Sequence, residues 1–339
     1  MRRDAPDALA RPLRLAPHLT ERPWGGGRLR TDLGKDAPPD IRFGESWELS
    51  DHPHGRSRVE LPDGSLMPLG ELFRRWPMEA LALDEAPAGF PLLVKFLDAR
   101  EDLSLQVHPD DAWCAARGHG DRGKSECWYV IEADPGAEAI VGLAPGTGPE
   151  ALRRAVEARD FSRALRRVPI RPGTFIDVPA GTVHAILGGT LLCEVQQSSD
   201  TTFRIWDWDR KPQRGLHLED ALSATRWEAE EPRLLRLPPR PAREGVVERG
   251  LVANGSFSVV AVDVPPFTEA ALRYPRPAEA GATVCVVGGS GEWTGGPPMP
   301  LGSAWFLPAC LEAPLHLRAG SAGMRLLAVE AAELKPPLR

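Results

Sequence analysis

The hydrophobic positions of this chain fall mostly into short runs bounded by glycine, proline and aspartate, which is the pattern of strands rather than of long helices. Residues 12–100 mix such runs with turn residues, as at Trp24-Gly25-Gly26-Gly27 and Pro38-Pro39-Asp40. Pro91-Leu92-Leu93-Val94-Lys95-Phe96-Leu97-Asp98 is nearly continuous in apolar character and predicts a buried strand. Leu103-Ser104-Leu105-Gln106-Val107-His108 alternates and predicts a second, closed by Pro109-Asp110-Asp111. Glu126-Cys127-Trp128-Tyr129-Val130-Ile131, rich in aromatic and β-branched residues, predicts a third. The period changes over 149–167, where Leu152, Val156, Phe161 and Leu165 recur at roughly helical spacing among arginines and predict an amphipathic helical excursion. Strand signals resume at 174–178 and 190–195.

From Leu192 to Trp208, Glu194, Gln196, Ser198, Asp200, Thr202 and Arg204 occupy even positions, while Cys193, Val195, Phe203 and Ile205 occupy odd ones. An extended run of this kind turns a polar face into a barrel and an apolar face outward, although a solvated edge strand alternates in the same way. Residues 228–244 are charged and Pro-rich and predict a linker. The expected division is a catalytic unit at 1–227, a linker at 228–245 and a second β-rich unit at 246–339 with a short Ala/Leu/Glu tail. Gly173 to Ala180 and Gly302 to Ala309 share the spacing G-x5-P-A, which suggests a duplicated β-barrel. Ala313 stands in the second copy where His184 stands in the first, so metal chemistry is expected of the first alone.

Composition narrows the class. The 339 residues carry 41 Lys+Arg against 47 Asp+Glu, a net charge of −6, which argues against a nucleic-acid partner. The 33 Gly and 35 Pro, spread without a repeating period, exclude an all-helical protein and a collagen-like one. Five cysteines (Cys114, Cys127, Cys193, Cys285, Cys310) form no C-x-x-C pair and read as free thiols of a reducing cytosol. The Met1-Arg2-Arg3 start is followed by no apolar run long enough for a signal peptide, and no stretch is long enough to span a membrane. A cytoplasmic enzyme, monomeric or homodimeric, is expected.

Gln106 and His108 are two residues apart on a predicted strand and therefore share a face. With Glu126 at the start of the next strand and His184 after the turn Pro179-Ala180-Gly181, they form a set of nitrogen and oxygen donors suited to zinc or another divalent first-row ion. Two histidines and one glutamate leave a coordination position open, and Gln106 adds a neutral oxygen. His52-Pro53-His54 also has ligand-like spacing but lies in a Pro/Gly-broken turn. His18, His119, His217 and His316 have no such neighbours. Lys124 repeats the two-residue spacing with Glu126. If the polar face is internal, Arg204, Lys124 and Lys95 bring cations near the metal, which suits an anionic sugar. Asp200 sits four residues from Arg204, placed to orient it or to move a proton.

The spacing Gly173-x5-Pro179-x-Gly181-x2-His184 resembles the second signature of the cupin superfamily. Six further blocks resemble the type I mannose-6-phosphate isomerases in their short bacterial form. They are Gly44 to Ser50 (G-E-S-W-E-L-S), Pro91 to Asp98, Leu103 to Asp110 (L-S-L-Q-V-H-P-D), Gly123 to Tyr129 (G-K-S-E-C-W-Y), Val178 to Ala185 (V-P-A-G-T-V-H-A), and Gln196 to Asp209 (Q-Q-S-S-D-T-T-F-R-I-W-D-W-D). The resemblance implies a mainly β fold of two cupin (jelly-roll) barrels with a small helical insertion, the second barrel degenerate. It implies one Zn2+ per chain at His108, Glu126 and His184, with Gln106 as a ligand in some members. It also implies Arg204 as the active-site arginine and Lys124 as a substrate-binding or proton-handling lysine. The implied reaction interconverts mannose 6-phosphate and fructose 6-phosphate through an enediol. It needs a base, for which Asp200, Glu194, Lys124 and a hydroxide on the metal stay open, while Lys95, Glu194 and Arg204 are expected to hold the substrate. The competing expectations are another metal-dependent cupin sugar enzyme and a non-catalytic sugar-binding bicupin. Residues 246–339 carry no motif of the family.

Overall fold

A computed structural model describes residues 7–212, 214–228, 231–238, 245–272, 275, 280–311 and 314–334. The chain is mainly β, built on three large sheets. A seven-stranded antiparallel sheet runs in the order Leu234–Arg236, Thr174–Val178, Glu126–Ala133, Thr190–Gln197, Leu92–Ala99, His18–Gly26, Phe43–Leu49. A five-stranded sheet runs in the order Leu165–Pro169, Glu138–Leu143, His184–Ile186, Leu105–Val107, Phe203–Trp206. A ten-stranded sheet holds the strands from Val247–Ala253 to Leu315–Ala331, and Leu13–Ala16 joins it by pairing with Ala304–Leu307. Strands Arg58–Glu60 and Leu66–Pro68 extend that sheet further, so it draws on both sides of residues 228–245.

Period-two alternation assigns each strand of the central sheet two different neighbours. Leu97, Trp128, Val130, Ile176, Val178 and Leu192 pack in one cluster with Ala139, Val141 and Ile186 of the five-stranded sheet. The alternate residues Val94, Phe96, Cys127, Tyr129, Phe175, Cys193 and Val195 pack against Phe257, Val259, Cys285, Phe306, Leu327 and Val329 of the ten-stranded sheet. The seven-stranded sheet is therefore the middle layer. This explains why Leu92–Ala99 and Thr190–Gln197 are buried at every position. The outer face of the five-stranded sheet is covered by Leu152 and Ala155 of the helix Pro149–Ala158 and by Ala221 and Leu222 of the helix Leu218–Ala224.

Three sequence expectations are corrected here. The helical excursion ends at Ala158, not at 167. Arg159 closes it in the left-handed region (φ 54°), Ser162 N donates to Asp160 Oδ1 in a tight turn, and Leu165 then opens a strand. The run 192–208 is not one strand. Thr190–Gln197 belongs to the central sheet and Phe203–Trp206 to the five-stranded sheet, and Ser198–Thr202 crosses between them. Leu234–Arg236, inside the expected linker, pairs with Thr174–Val178, while residues 229–230 and 239–244 lie outside the described residues, as does Ala313. Among the described residues no helix is long and apolar enough to cross a membrane.

Candidate metal centre and substrate cleft

Both layers of the sandwich contribute donors to one point between them. Glu126 opens its strand and faces inward opposite Val178 and Gln196. Gln106 pairs in register with His184 in the five-stranded sheet, and His108 follows two residues later. The turn before His184 depends on Gly181, held at φ 86° with its N–H donating to the His108 carbonyl; a β-carbon there would meet Arg226 Cγ at 2.6 Å. One ligand atom each from His108, Glu126 and His184 lies within 4.8 Å of the others, all three buried.

The hydrogen bonds around the triad prepare it for a cation. His108 Nδ1 donates to the Thr201 carbonyl and His184 Nδ1 to the Thr182 carbonyl, each at 2.8 Å. These bonds fix the tautomer and leave both Nε2 lone pairs aimed at Glu126, at 3.5 Å and 3.4 Å. Burial first, and for His108 the Lys124 ammonium next, push both imidazoles below their ordinary value, so they are neutral near pH 7. Burial alone would raise the Glu126 carboxyl, but the Lys124 ammonium beside it holds it well below the usual carboxylate range. Glu126 Oε2 lies 2.9 Å from Lys124 Nζ and 3.5 Å from His108 Nε2. Two neutral imidazoles and one ionised carboxylate at a single buried point fit a divalent metal ion.

Gln106 turns its amide nitrogen to His184 Nε2 at 3.2 Å while its oxygen accepts from Ser104 Oγ at 3.0 Å, so its oxygen reaches the centre only after a half-turn of the amide. Lys124 does share the metal face, although it precedes the strand rather than lying on it, and its Nζ is 3.0 Å from His108 Nε2. His52 and His54 stand apart from the triad. His54 Nδ1 instead meets Asp200 Oδ2 at 3.0 Å.

Gln106 and Lys124, each touching the triad, also line a cleft of about 400 Å3 with Lys95, Glu194, Asp200, Arg204 and Arg214. Asp200 and Arg204 face the same cleft for a reason other than the expected one: Asp200 lies on the crossing segment and Arg204 on the strand that follows. Arg204 donates from one terminal nitrogen to the Gly215 carbonyl at 2.8 Å, while its Nε is buried without a partner. Lys95 is not a free cation. It pairs with Glu194 at 3.1 Å and lies 3.8 Å from Glu45, and although burial works against its charge, those carboxylates hold its pKa above the ordinary lysine value.

Sequence reasoning passed over three contributors. Trp128 Nε1 donates to Glu126 Oε1 at 2.9 Å and to Glu194 Oε2 at 3.1 Å. Its position two residues after Glu126 was the available signal. Glu45 accepts from Arg22 and Trp47 beside Lys95, within the Gly44 to Ser50 block. His217 exchanges backbone and ring hydrogen bonds with the Arg204 backbone, and nothing in its sequence neighbourhood announces that.

The family model "Phosphomannose isomerase type I, catalytic domain" matches residues 13–128. The probable mannose-6-phosphate isomerase GmuF of Bacillus subtilis is 43% identical over 218 residues, covering 63% of this chain and 68% of the relative. The mannose-6-phosphate isomerase of Streptococcus mutans is 43% identical over 218 residues, covering 63% and 67%. The crystal structure of the mannose 6-phosphate isomerase from Bacillus subtilis superimposes with a TM-score of 0.80 at 32% identity, covering 94% of this chain and 99% of that one. Together with the buried His-Glu-His centre, these likenesses show that the chain belongs to the type I mannose-6-phosphate isomerase family.

Proposed function

We propose that the chain interconverts mannose 6-phosphate and fructose 6-phosphate, with one zinc ion held by His108, Glu126 and His184 and with Gln106 as an accessory ligand. The observation that carries this reading is a metal-competent triad touched by Gln106 and Lys124, two residues that also line the cleft with Arg204. When bound, a divalent ion supplies Lewis-acid polarisation of the sugar oxygens at C1 and C2. The chain's own residues supply the rest. Arg204, with an unpartnered buried Nε, takes the phosphate or a developing oxyanion. Lys124 donates toward the same oxygens from its place beside Glu126, and Lys95 with Glu194 holds sugar hydroxyls.

The proton that moves between C2 and C1 needs an acceptor facing the cleft. Glu194 is tied to Lys95 and Trp128, and Lys124 to Glu126 and His108; Asp200 has the outer contact with His54 and a side chain open to the cleft, so proton transfer is assigned to Asp200. Five cysteines without a disulfide support a cytoplasmic location, where thiols stay reduced. A coupled assay on mannose 6-phosphate tests the reading. Chelator-treated protein should lose activity and regain it with about one equivalent of zinc per chain, the one-ion stoichiometry of a mononuclear site. Activity indifferent to chelation would overturn the metal assignment, and activity only on other sugar phosphates would overturn the substrate.

A further inference from the structure

The segment Ser198–Thr202, which carries the chain from one layer of the sandwich to the other, has no ladder to hold it, yet it carries two groups that matter to the site. Asp200 lines the cleft, and the Thr201 carbonyl accepts the Nδ1–H of His108 at 2.8 Å. Ser198 N donates to the Pro91 carbonyl and Gln196 Nε2 to the Ser199 carbonyl, and one carboxylate oxygen gathers three donors from the residues between. Asp121 Oδ2 accepts from Ser199 Oγ, from the Asp200 backbone N–H and from Thr201 Oγ1, each at 3.0 Å, while Asp121 Oδ1 accepts from the Arg122 N–H at 2.9 Å. Burial alone would raise the Asp121 carboxyl, but these donors outweigh it and hold it below its ordinary value, as expected of an ionised acceptor.

Asp121 itself sits in the irregular loop between the helix Asp111–Ala116 and the strand Glu126–Ala133, three residues before Lys124. The Lys124 end of this loop has separate moorings. Lys124 N donates to the Pro109 carbonyl, Gly123 N to Asp111 Oδ1, and Ser125 N to Gln197 Oε1. Loss of Asp121 therefore leaves Lys124 anchored and takes from Ser199, Asp200 and Thr201 the acceptor that they share.

We propose that Asp121 is a positioning residue, whose carboxylate sets Asp200 in the cleft and aims the Thr201 carbonyl that orients His108. It touches neither substrate nor metal and acts through the segment it grips. This rests on the isomerase reading for its kinetic consequence, but its effect on the ligand histidine is independent of that reading. Partners of a ligating histidine are worth about 10- to 100-fold in metal affinity or activity when lost.

The test uses the zinc-loaded full chain and two readouts, zinc affinity by competition with a chromophoric chelator and kcat on mannose 6-phosphate. In Asp121→Ala, zinc affinity and kcat should each fall about 10- to 100-fold. Asp121→Asn, which keeps an acceptor oxygen, should recover most of both losses. A merely structural role would lower the unfolding temperature and leave zinc affinity and kcat of the folded protein unchanged; that result overturns the proposal. Should Asp121→Ala fail to fold, Thr201→Val removes one of the three donors without touching the loop, and unchanged zinc affinity and kcat there overturn the proposal equally. If zinc affinity falls as stated but the wild-type enzyme does not isomerise mannose 6-phosphate, the functional reading fails and the positioning role stands.

Discussion

The two interiors of this molecule are built on the same backbone device and filled in opposite ways. Gly173 (φ 85°) donates its N–H to the Val130 carbonyl and starts the strand Thr174–Val178; Gly302 (φ 80°) donates to the Val286 carbonyl just before the strand Ala304–Leu307. Five residues after each glycine, Val178 lies opposite Glu126 and Leu307 lies opposite Ala282. In the second interior, then, alanine occupies the place of Glu126. Around it lie Val284, Trp293, Met299, Trp305, Leu317 and Met324, an apolar cluster. The first interior instead buries Lys95, His108, Lys124, Glu126, His184 and Glu194, each within reach of an opposite charge or a hydrogen bond. Buried charge is tolerated only when paired, and it contributes little net stability, whereas apolar burial contributes directly. One interior is organised for chemistry and the other for apolar packing among the strands of the ten-stranded sheet. The difference lies in a few inward positions, not in the fold.

Removing a ligand from the first interior is the strongest test of that contrast. His184→Ala takes one of three donors from the centre, and activity on mannose 6-phosphate should fall at least ~1000-fold, about 4 kcal/mol of transition-state stabilisation. Zinc content should drop with it, while the rest of the chain keeps its fold. Full zinc occupancy in the variant would break the ligand assignment.

The reverse experiment belongs in the second interior. Trp305 is buried against Trp293, with ring centroids 6.1 Å apart, and lies on the face opposite Phe306, which packs toward the catalytic sandwich. Trp305→Ala should cost about 3–5 kcal/mol in urea unfolding. Per folded molecule, kcat should be unchanged. A drop in kcat comparable to that of His184→Ala would show that the two interiors are not separable.

Much of this contrast was legible in the sequence, because short-range signals made it. The strands Leu92–Ala99, Leu105–Val107, Glu126–Ala133, Thr174–Val178 and Thr190–Gln197 follow from run length and alternation, and the triad follows from same-face spacing combined with a turn whose glycines the backbone requires. Where the reading failed, long-range packing decided. Nothing local to residues 192–208 says that the chain leaves one sheet for another at Ser198, since an alternating pattern continues through the crossing. Leu165 keeps the helical spacing of Leu152 but is drawn into a strand by pairing with Leu143. The ion pairs of Lys95 join strands far apart in sequence, so a cation that looked free for the substrate is largely spoken for. Asp121 and Trp128 gave only proximity to known blocks as a hint of their roles.

Acid sharpens the same comparison, with a smaller effect. The apolar cluster around Trp305 contains no ionisable side chain, whereas the catalytic interior depends on ionised carboxylates. Glu45 is the clearest case. Burial alone would raise it, but Lys95 and Arg22, together with hydrogen bonds from Arg22 and Trp47, bring its pKa from 4.5 to about 2. A carboxyl depressed in the folded state contributes its stability fully above the unfolded value and loses it as pH falls through the folded one. The window here runs from 4.5 down to about 2, and the free energy at stake across it is roughly 3 kcal/mol. Glu45→Gln keeps the shape and removes the titration. Unfolding free energies measured in urea at pH 5 and pH 3 should therefore converge, with wild type losing about 2 kcal/mol more than the variant over that interval. Lys95 retains Glu194 in either case, so the site's other ion pair persists in the comparison. Parallel pH profiles for the two proteins would mean that the Glu45 ion pairs do not carry the acid sensitivity of the catalytic interior.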